Sequence, residues 1–260
     1  MLLAVYSRVA CQGSLASGVR IAIVSDIHGN RRALEAVIAD LRQVAPDLIL
    51  QGGDLAAGGA HPAEVIDQIR AMGWPGVFGN ADEMLWAPQR LAEYAVNLPA
   101  LAPVLARVAD TIAPTVLALG KERVQWLSML PAVYSQEGLT LLHASPGDVW
   151  RAPMPTAGDD ELERVYGIMG AGLVVYGHIH CPFIRGLSTM TVANSGSVGQ
   201  PYDGDRRASY VVVDGAQPSL RRVEYDVESE AKDVLRCGLP HAGWMSKILL
   251  AGRYCPPDSL

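Results

Sequence analysis

The sequence predicts an α/β protein, because short strands rich in β-branched residues alternate with amphipathic helices near its N-terminus. The segment V-R-I-A-I-V-S from Val19 is a predicted strand, and the apolar spacing over Arg31–Ala45 predicts a helix. A second predicted strand, D-L-I-L-Q, leads to a helix over Pro62–Met72 that has proline in its first turn. W-P-G-V-F-G-N, from Trp74, is a third predicted strand. This β-α-β-α-β order favours a largely parallel sheet with helices on its faces.

The strand pattern disappears between about residues 83 and 130, where Ala, Leu, Val and Pro at helical spacing predict a helical insertion. Strands then resume, with a predicted helix over Asp159–Met169 between the first two of them. The later strands are L-T-L-L-H, L-V-V-Y-G-H, T-M-T-V-A-N, A-S-Y-V-V-V-D and L-R-R-V-E-Y-D. The last three suggest a second, mostly antiparallel layer, and two helices near 229–237 and 241–250 end the chain.

The composition is that of an ordinary globular domain. The chain has 260 residues, 50% of them apolar, and we assign 19–260 to one domain after a loose extension at 1–18. A net charge of −6 gives no general basis for binding nucleic acid or an anionic membrane. No apolar run reaches the ~18 residues typical of a membrane span. Four cysteines without C-x-x-C spacing indicate reduced thiols in the cytoplasm, and the extension lacks the basic start of a signal peptide.

Polar side chains that can bind metals follow five of the predicted strands, at the point where each strand ends. They are Asp26, His28, Asp54, Asn80, His143, His178 and His180. Taken alone, Asp26 could cap a helix, Asn80 could occupy a left-handed turn, and His143 could be a core histidine. Because sites in open α/β sheets form at the carboxyl ends of strands, we expect all of these side chains to lie close together.

The predicted cluster has the composition of an open catalytic metal site. Oxygen and imidazole donors without thiolate suit Mn²⁺, our first expectation, and also Fe, Zn²⁺ or Ni²⁺. The ligands are too many for one open metal, so we expect two divalent ions about 3.5–4 Å apart, bridged by a carboxylate. Two such cations against Asp26 and Asp54 leave the cluster positive, which favours a phosphate and a hydroxide.

The motifs D-I-H-G-N, G-G-D, G-N-A-D, H-A-S-P and G-H-I-H, in this order, resemble those of the calcineurin-like metallophosphoesterase superfamily. The resemblance covers about residues 19–215 and implies a four-layered α/β/β/α sandwich, here with the helical insertion. N-S-G-S-V-G-Q-P and D-G-D-R-R-A-S-Y also resemble its small bacterial phosphodiesterase-like branch, whose first motif usually reads N-P-G-S. Ser195 replaces that proline, which is expected to weaken the rigidity of the turn and to leave the metal site untouched.

The resemblance also implies a role for each candidate ligand. It assigns one metal to Asp26, His28 and His180, the other to Asn80, His143 and His178, and the bridging position to Asp54. Asn80 and His143 are therefore candidate catalytic residues as well. The implied reaction is in-line attack of a hydroxide, activated by the binuclear centre, on a phosphoester, with a phosphodiester as the first choice. The alternatives are a phosphomonoesterase, including a serine/threonine protein phosphatase, and a non-catalytic scaffold that keeps this fold.

One departure from the family pattern concerns the proton donor to the leaving group. Many members have a histidine directly after the asparagine of G-N, whereas this chain has Ala81, which cannot transfer a proton, and then Asp82. Asp82 is a candidate replacement, but an exposed aspartate is largely ionised at neutral pH, so we expect it to be structural or to orient a ligand. Without a general acid, the enzyme should prefer activated aryl phosphodiesters over alkyl monoesters.

Two aromatic residues follow the G-N-A-D motif, at the start of the predicted insertion. Trp86 and Tyr94 either line a substrate pocket or pack the insertion onto the domain.

Overall fold

The computed structural model describes residues 18–96, 98–136 and 138–257, so the predicted extension at 1–18 lies outside it except for Gly18. The described strands are β1 (Arg20–Val24), β2 (Leu48–Gln51), β3 (Val133–Gln136), β4 (Leu139–Leu142), β5 (Leu173–Tyr176), β6 (Phe183–Gly186), β7 (Thr191–Asn194), β8 (Ala208–Asp214) and β9 (Gln217–Val223). The described α-helices are α1 (Arg31–Val44), α2 (Pro62–Met72), α3 (Asn80–Trp86), α4 (Gln89–Val96), α5 (Ala102–Ser128), α6 (Asp159–Tyr166), α7 (Val227–Arg236) and α8 (Ala242–Ala251).

Two sheets stack face to face, and helices cover their outer faces. One sheet has the order β2-β1-β8-β9 and the other the order β3-β4-β5-β7-β6. Strand β1 is buried on both faces: Ile21 and Ile23 belong to the apolar cluster between the sheets, whereas Ala22 and Val24 pack under helices that include α1 and α2. On the far side, Leu162 of α6 packs against the outer face of β5. The predicted four-layered α/β/β/α sandwich is confirmed.

The sheet pairing differs from the expectation in two respects. Strand β1 pairs parallel with β2 but antiparallel with β8, so the first sheet is mixed and not largely parallel. The last three predicted strands do not form a separate antiparallel layer, because β7 joins the second sheet parallel to β5, while β8 and β9 complete the first. Apolar periodicity locates strands, but it does not specify which strand is the neighbour.

The predicted third strand, from Trp74, is reduced to a single bridge between Gly76 and Gln51. The carbonyl of Pro75 accepts a hydrogen bond from the N–H of Gln51 (3.0 Å), and Val77 N–H donates to the Gln51 carbonyl (3.1 Å). Proline has no N–H to extend this pairing, and Phe78 N–H turns away to the carbonyl of Pro131. The segment therefore lies beside β2 without becoming a strand, and it still delivers Asn80 to the edge of the sheet.

Helices α3 to α5 fill the region of the predicted insertion, and α5 packs against α2 and α3. Over Pro99–Ser128 the chain has the length and mean hydropathy (1.4) of a membrane span, the one such helix among the described residues, with 11% of that window buried. The sequence-based expectation of no membrane span rested on the length of uninterrupted apolar runs. Arg107 and Asp110 interrupt the apolar residues of this helix, so it did not count as such a run. Length and composition alone are weak evidence for a span, and α5 leaves helical geometry at Gly120 (φ 70°, ψ 164°).

Gly199 is required where the loop after β7 passes the loop after β1. A Cβ at this position would lie 1.8 Å from the carbonyl oxygen of Ile27. Gly199→Ala should therefore lower the free energy of unfolding by about 1–3 kcal/mol, the range for overpacking a tight interior. Gly186→Ala is the matched control, because its Cβ would meet no atom within 4 Å. Urea denaturation measures the unfolding free energy of both variants. Equal values would contradict the close contact between Gly199 and the Ile27 carbonyl.

Candidate metal centre

The loops that follow the strands bring all seven predicted polar residues to one edge of the two sheets. Asp26 and His28 follow β1, Asp54 follows β2, Asn80 begins α3, His143 follows β4, and His178 and His180 follow β5. Apart from the half-exposed Asn80 and His178, these side chains are buried. The cluster therefore lies at the point where the carboxyl ends of strands from both sheets meet.

The first half of the cluster contains two histidines that face each other. His28 Nε2 lies 3.2 Å from His180 Nε2. His28 Nδ1 is 2.6 Å from the carbonyl oxygen of Ala57, and His180 Nδ1 is 2.5 Å from that of Gln200. Because a carbonyl oxygen only accepts, each Nδ1 carries the proton and each Nε2 presents a lone pair to the other. Two facing lone pairs, with Asp26 Oδ1 3.2 Å from His180 Nε2, fit a shared cation.

The second half of the cluster is centred on the side-chain oxygen of Asn80. His143 Nε2 lies 3.0 Å from Asn80 Oδ1, and His178 Nδ1 lies 2.8 Å from the same atom. His143 Nδ1 is 2.8 Å from the carbonyl oxygen of Gly52, which orients the ring as in the first half. One amide oxygen and two imidazole nitrogens thus converge on a second point.

Asp54 lies between the two halves. Its Oδ2 is 3.7 Å from His28 Nε2 and 3.5 Å from His143 Nε2. Its Oδ1 accepts a hydrogen bond from the backbone N–H of Ala81 (2.8 Å), which fixes the carboxylate plane. One oxygen of Asp54 can therefore contact ions in both halves of the cluster.

The electrostatics of the cluster favour cation binding. Burial, followed by the neighbouring His180, lowers the pKa of His28, and burial with the nearby His143 lowers the pKa of His178 to about 4. Both rings are therefore neutral, as ligands must be. Burial opposes a charge on His143, but the Asp54 carboxylate prevails and raises the pKa of His143 to about 10, so this ring is protonated without a metal and metal binding would have to displace its proton. Burial also opposes ionisation of Asp26, yet His180 holds the pKa of that carboxyl below its usual range. The acidic groups thus draw positive charge into the centre.

Backbone strain is concentrated at the same residues. Among the described residues, seven that are not glycine have positive φ, and five of these are candidate ligands. The five are Asp26 (55°), His28 (51°), Asp54 (55°), His178 (67°) and His180 (55°). Residues other than glycine rarely adopt a positive φ, and such backbone strain is commonly found at functional sites.

Asp82 is buried, and its carboxylate binds backbone rather than solvent. One oxygen accepts from the N–H groups of Asp54 (2.7 Å) and Gly79 (3.1 Å), and the other from that of Leu55 (3.0 Å). Burial and then the Asp54 carboxylate raise the pKa of Asp82 to about 7, against the effect of these N–H groups. The premise that this aspartate is exposed is therefore wrong. The carboxylate connects the loop after β2 to the start of α3.

A cavity of about 210 Å³ opens beside the cluster. His28, Asn80, His178 and His180 are among the residues that line it. Tyr94 lines this cavity, which agrees with the expectation that it lines a substrate pocket. Trp86 is not among the lining residues and instead meets Phe78 edge to face at 5.5 Å.

Residues other than the predicted ligands also contribute to the site, and only some of them could have been found from the sequence. Tyr202 stacks on the His180 ring at 4.3 Å, and Trp150 and Trp244 line the cavity. Ser195, in place of the family's proline, donates its N–H to the Tyr176 carbonyl (3.0 Å), a bond that proline could not make. The N-S-G-S-V-G-Q-P motif was the available signal, because it directly precedes Tyr202 and supplies the Gln200 carbonyl.

Comparisons with known proteins identify the family of this chain. The chain is 29% identical over 256 residues to the uncharacterised protein MJ0912 of Methanocaldococcus jannaschii, which covers 90% of this chain and 98% of the relative. It is 26% identical over 185 residues to a probable cyclic nucleotide phosphodiesterase of Synechococcus sp., covering 65% of this chain and 71% of the relative. The crystal structure of a metallophosphoesterase from Sphaerobacter thermophilus superimposes with a TM-score of 0.72 at 26% identity, covering 91% of this chain and 100% of the other. The model of the calcineurin-like phosphoesterase superfamily domain matches residues 19–218, and the chain belongs to that superfamily.

Proposed function

We propose that this protein is a phosphodiesterase that depends on two divalent metal ions, with Mn²⁺ as the first candidate. The proposal rests on the short distance of 3.2 Å between His28 Nε2 and His180 Nε2. Both Nδ1 atoms are hydrogen-bonded to backbone carbonyl oxygens, so neither ring can turn its N–H toward the other. Such an arrangement is favourable only with positive charge between the rings. Membership of a phosphoesterase family supplies the substrate class.

The residues divide naturally between two ions. Asp26, His28 and His180 would hold the first, and Asn80, His143 and His178 the second, with Asp54 Oδ2 shared. A pair of divalent cations in such a centre supplies a strong nucleophile from water at neutral pH and neutralises phosphoryl oxygens. The chain itself orients the ligands: carbonyl oxygens fix three imidazoles, and the Ala81 N–H fixes Asp54.

A diester fits the surroundings of the centre better than a monoester. Among the described residues that line the cavity, none is Lys or Arg, so a dianionic monoester would gain no cation beyond the metals. Ala81 also lines the cavity and offers no proton to a leaving group. The relative named as a probable cyclic nucleotide phosphodiesterase supports the same choice.

We further propose that Asp82 is a positioning residue and not the general acid. Its oxygens bind three backbone N–H groups on the loops that carry Asp54 and Asn80, and it does not line the cavity. The family histidine thus has no replacement at this position, and leaving groups that depart as stable anions are favoured.

The cytoplasm is the compartment that we propose for this enzyme. Cys181, Cys237 and Cys255 are free thiols, as is typical of proteins in a reducing compartment.

Metal-free protein should regain activity when Mn²⁺, Ni²⁺, Zn²⁺ or Mg²⁺ is added in turn, and bis(p-nitrophenyl) phosphate should be cleaved faster than p-nitrophenyl phosphate or phosphoserine.

Asp54→Asn should lower kcat at saturating Mn²⁺ by about 10²-fold or more, because even changes to residues that only hold a metal ligand in place cost 10–100-fold. Asp160→Asn, at an exposed carboxylate, is the matched control. Faster monoester cleavage would indicate the phosphomonoesterase instead, and no phosphoester cleavage with any metal would refute the proposed activity.

Asp82→Asn should destabilise the protein without changing the dependence of rate on leaving-group acidity. One amide oxygen cannot serve three N–H groups, and each buried donor left without a partner costs about 1–3 kcal/mol. Urea denaturation measures the first effect, and a series of aryl phosphodiesters on the wild type and Asp82→Asn measures the second. A shallow dependence in the wild type that becomes steep in the variant would identify Asp82 as the general acid.

A further inference from the structure

We infer that the cavity beside the metal centre binds an uncharged hydrocarbon group, alkyl or aryl, that is attached to the substrate's phosphorus through an ester bond. This inference rests on the proposed function, and it names the class of phosphodiester that the site accepts. It separates this chain from enzymes whose site holds a nucleoside or a second phosphate.

The cavity and the metal centre form one continuous space. His28, Asn80, His178 and His180 all lie in the wall of the cavity. A phosphoryl group held at the centre therefore directs one of its substituents into the cavity. The volume of about 210 Å³ exceeds the ~150 Å³ of an engineered cavity that accommodates benzene.

Carbon atoms form most of the remaining wall. Four helices contribute apolar side chains to it: Met84 from α3, Leu91 from α4, Leu105 and Val108 from α5, and Met245 and Ile248 from α8. Burial of apolar surface against these side chains would stabilise a bound hydrocarbon group. Three of these helices, α3, α4 and α5, lie within residues 19–218 that match the family, and α8 lies beyond them.

The polar side chains in the wall direct their donors to the protein. Trp150 Nε1 donates to Glu83 Oε2 (2.6 Å), and Trp244 Nε1 donates to the carbonyl of Cys255 (2.7 Å). These indoles therefore present ring faces and edges, and no N–H, to a ligand.

Two of the three hydroxyl groups in the wall, those of Tyr202 and Thr111, behave in the same way. Tyr202 Oη donates to Gln200 Oε1 (3.1 Å), and Thr111 Oγ1 donates to the Val108 carbonyl (2.7 Å). A nucleobase has many polar atoms, and the donors of these four side chains offer it no partner, so removing those atoms from water would be poorly compensated. A hydrocarbon group has no such cost.

A second anionic group on the substrate would also lack a partner. None of the described lining residues is Lys or Arg. The nearby Arg151 stacks over the Tyr94 ring at 5.0 Å and pairs with Asp148 at 3.1 Å. Polyphosphate and oligonucleotide substrates therefore find no cationic contact in this cavity beyond the metals.

The test measures binding and does not depend on turnover. Calorimetry on the Mn²⁺-loaded protein would compare hexylphosphonate and phenylphosphonate with methylphosphonate and thymidine 5′-monophosphate. Hexyl and phenyl ligands should bind at least about tenfold more tightly than the other two, the lower end of what one methylene contributes in an apolar pocket.

Val108→Asp should remove this preference, because it places a carboxylate in the wall. Leu105→Gln is a milder second variant should Val108→Asp fail to fold. Leu117→Asp is the matched control on the same helix, because Leu117 is 85% exposed, and it should keep the preference.

Each outcome decides the inference separately from the proposed function. Equal affinity for methyl and hexyl ligands, tighter binding of the nucleotide, no binding of any ligand, or an unchanged preference in both wall variants would each overturn it. A hydrocarbon preference in a protein that cleaves no phosphoester would uphold the cavity assignment and refute the proposed activity.

Discussion

The candidate site depends on main-chain carbonyl groups that fix the orientation of three imidazole rings. The oxygens of Ala57, Gly52 and Gln200 lie within hydrogen-bond distance of Nδ1 in His28, His143 and His180, respectively. Each ring therefore presents Nε2 to the cluster. In a buried setting two such nitrogens 3.2 Å apart repel each other unless a cation lies between them. The fold thus prepares an arrangement that metal binding stabilises, as expected when binding and folding are coupled.

Holding these rings in place strains the backbone, and neighbouring residues offset the strain. Five ligand candidates have left-handed φ values, each of which typically costs about 1–3 kcal/mol. Ser197 Oγ and Gly199 N–H both donate to the Asp26 carbonyl, at 2.7 Å and 3.0 Å. Asn194 Nδ2 donates to the carbonyl of Gly177, next to His178 (2.6 Å), and Asp82 binds the loop of Asp54. Side chains without a metal contact are therefore as necessary to the geometry as the ligands.

The sequence predicts the candidate metal ligands at the strand ends better than it predicts the residues and the cavity around them. Asp26 and His28 were identifiable because a buried strand ends directly before them, and the helix over Pro62–Met72 has the predicted bounds. The short edge strand Phe183–Gly186, which has no fully buried residue, lacks the apolar periodicity that would mark it. The burial of Asp82 and the stacking of Tyr202 depend on contacts between segments far apart in sequence. Local patterns cannot reveal such contacts, nor can they show that α5 and α8 together form a cavity.

Crystals of the Mn²⁺-loaded protein would test the paired arrangement most directly, because an anomalous difference map locates each manganese ion. Two peaks are expected about 3.5–4 Å apart. One should lie between Nε2 of His28 and of His180, and the other beside Asn80 Oδ1, with Asp54 contacting both. A single peak at full occupancy, or ions away from these side chains while the two imidazoles still face each other, would contradict the binuclear centre.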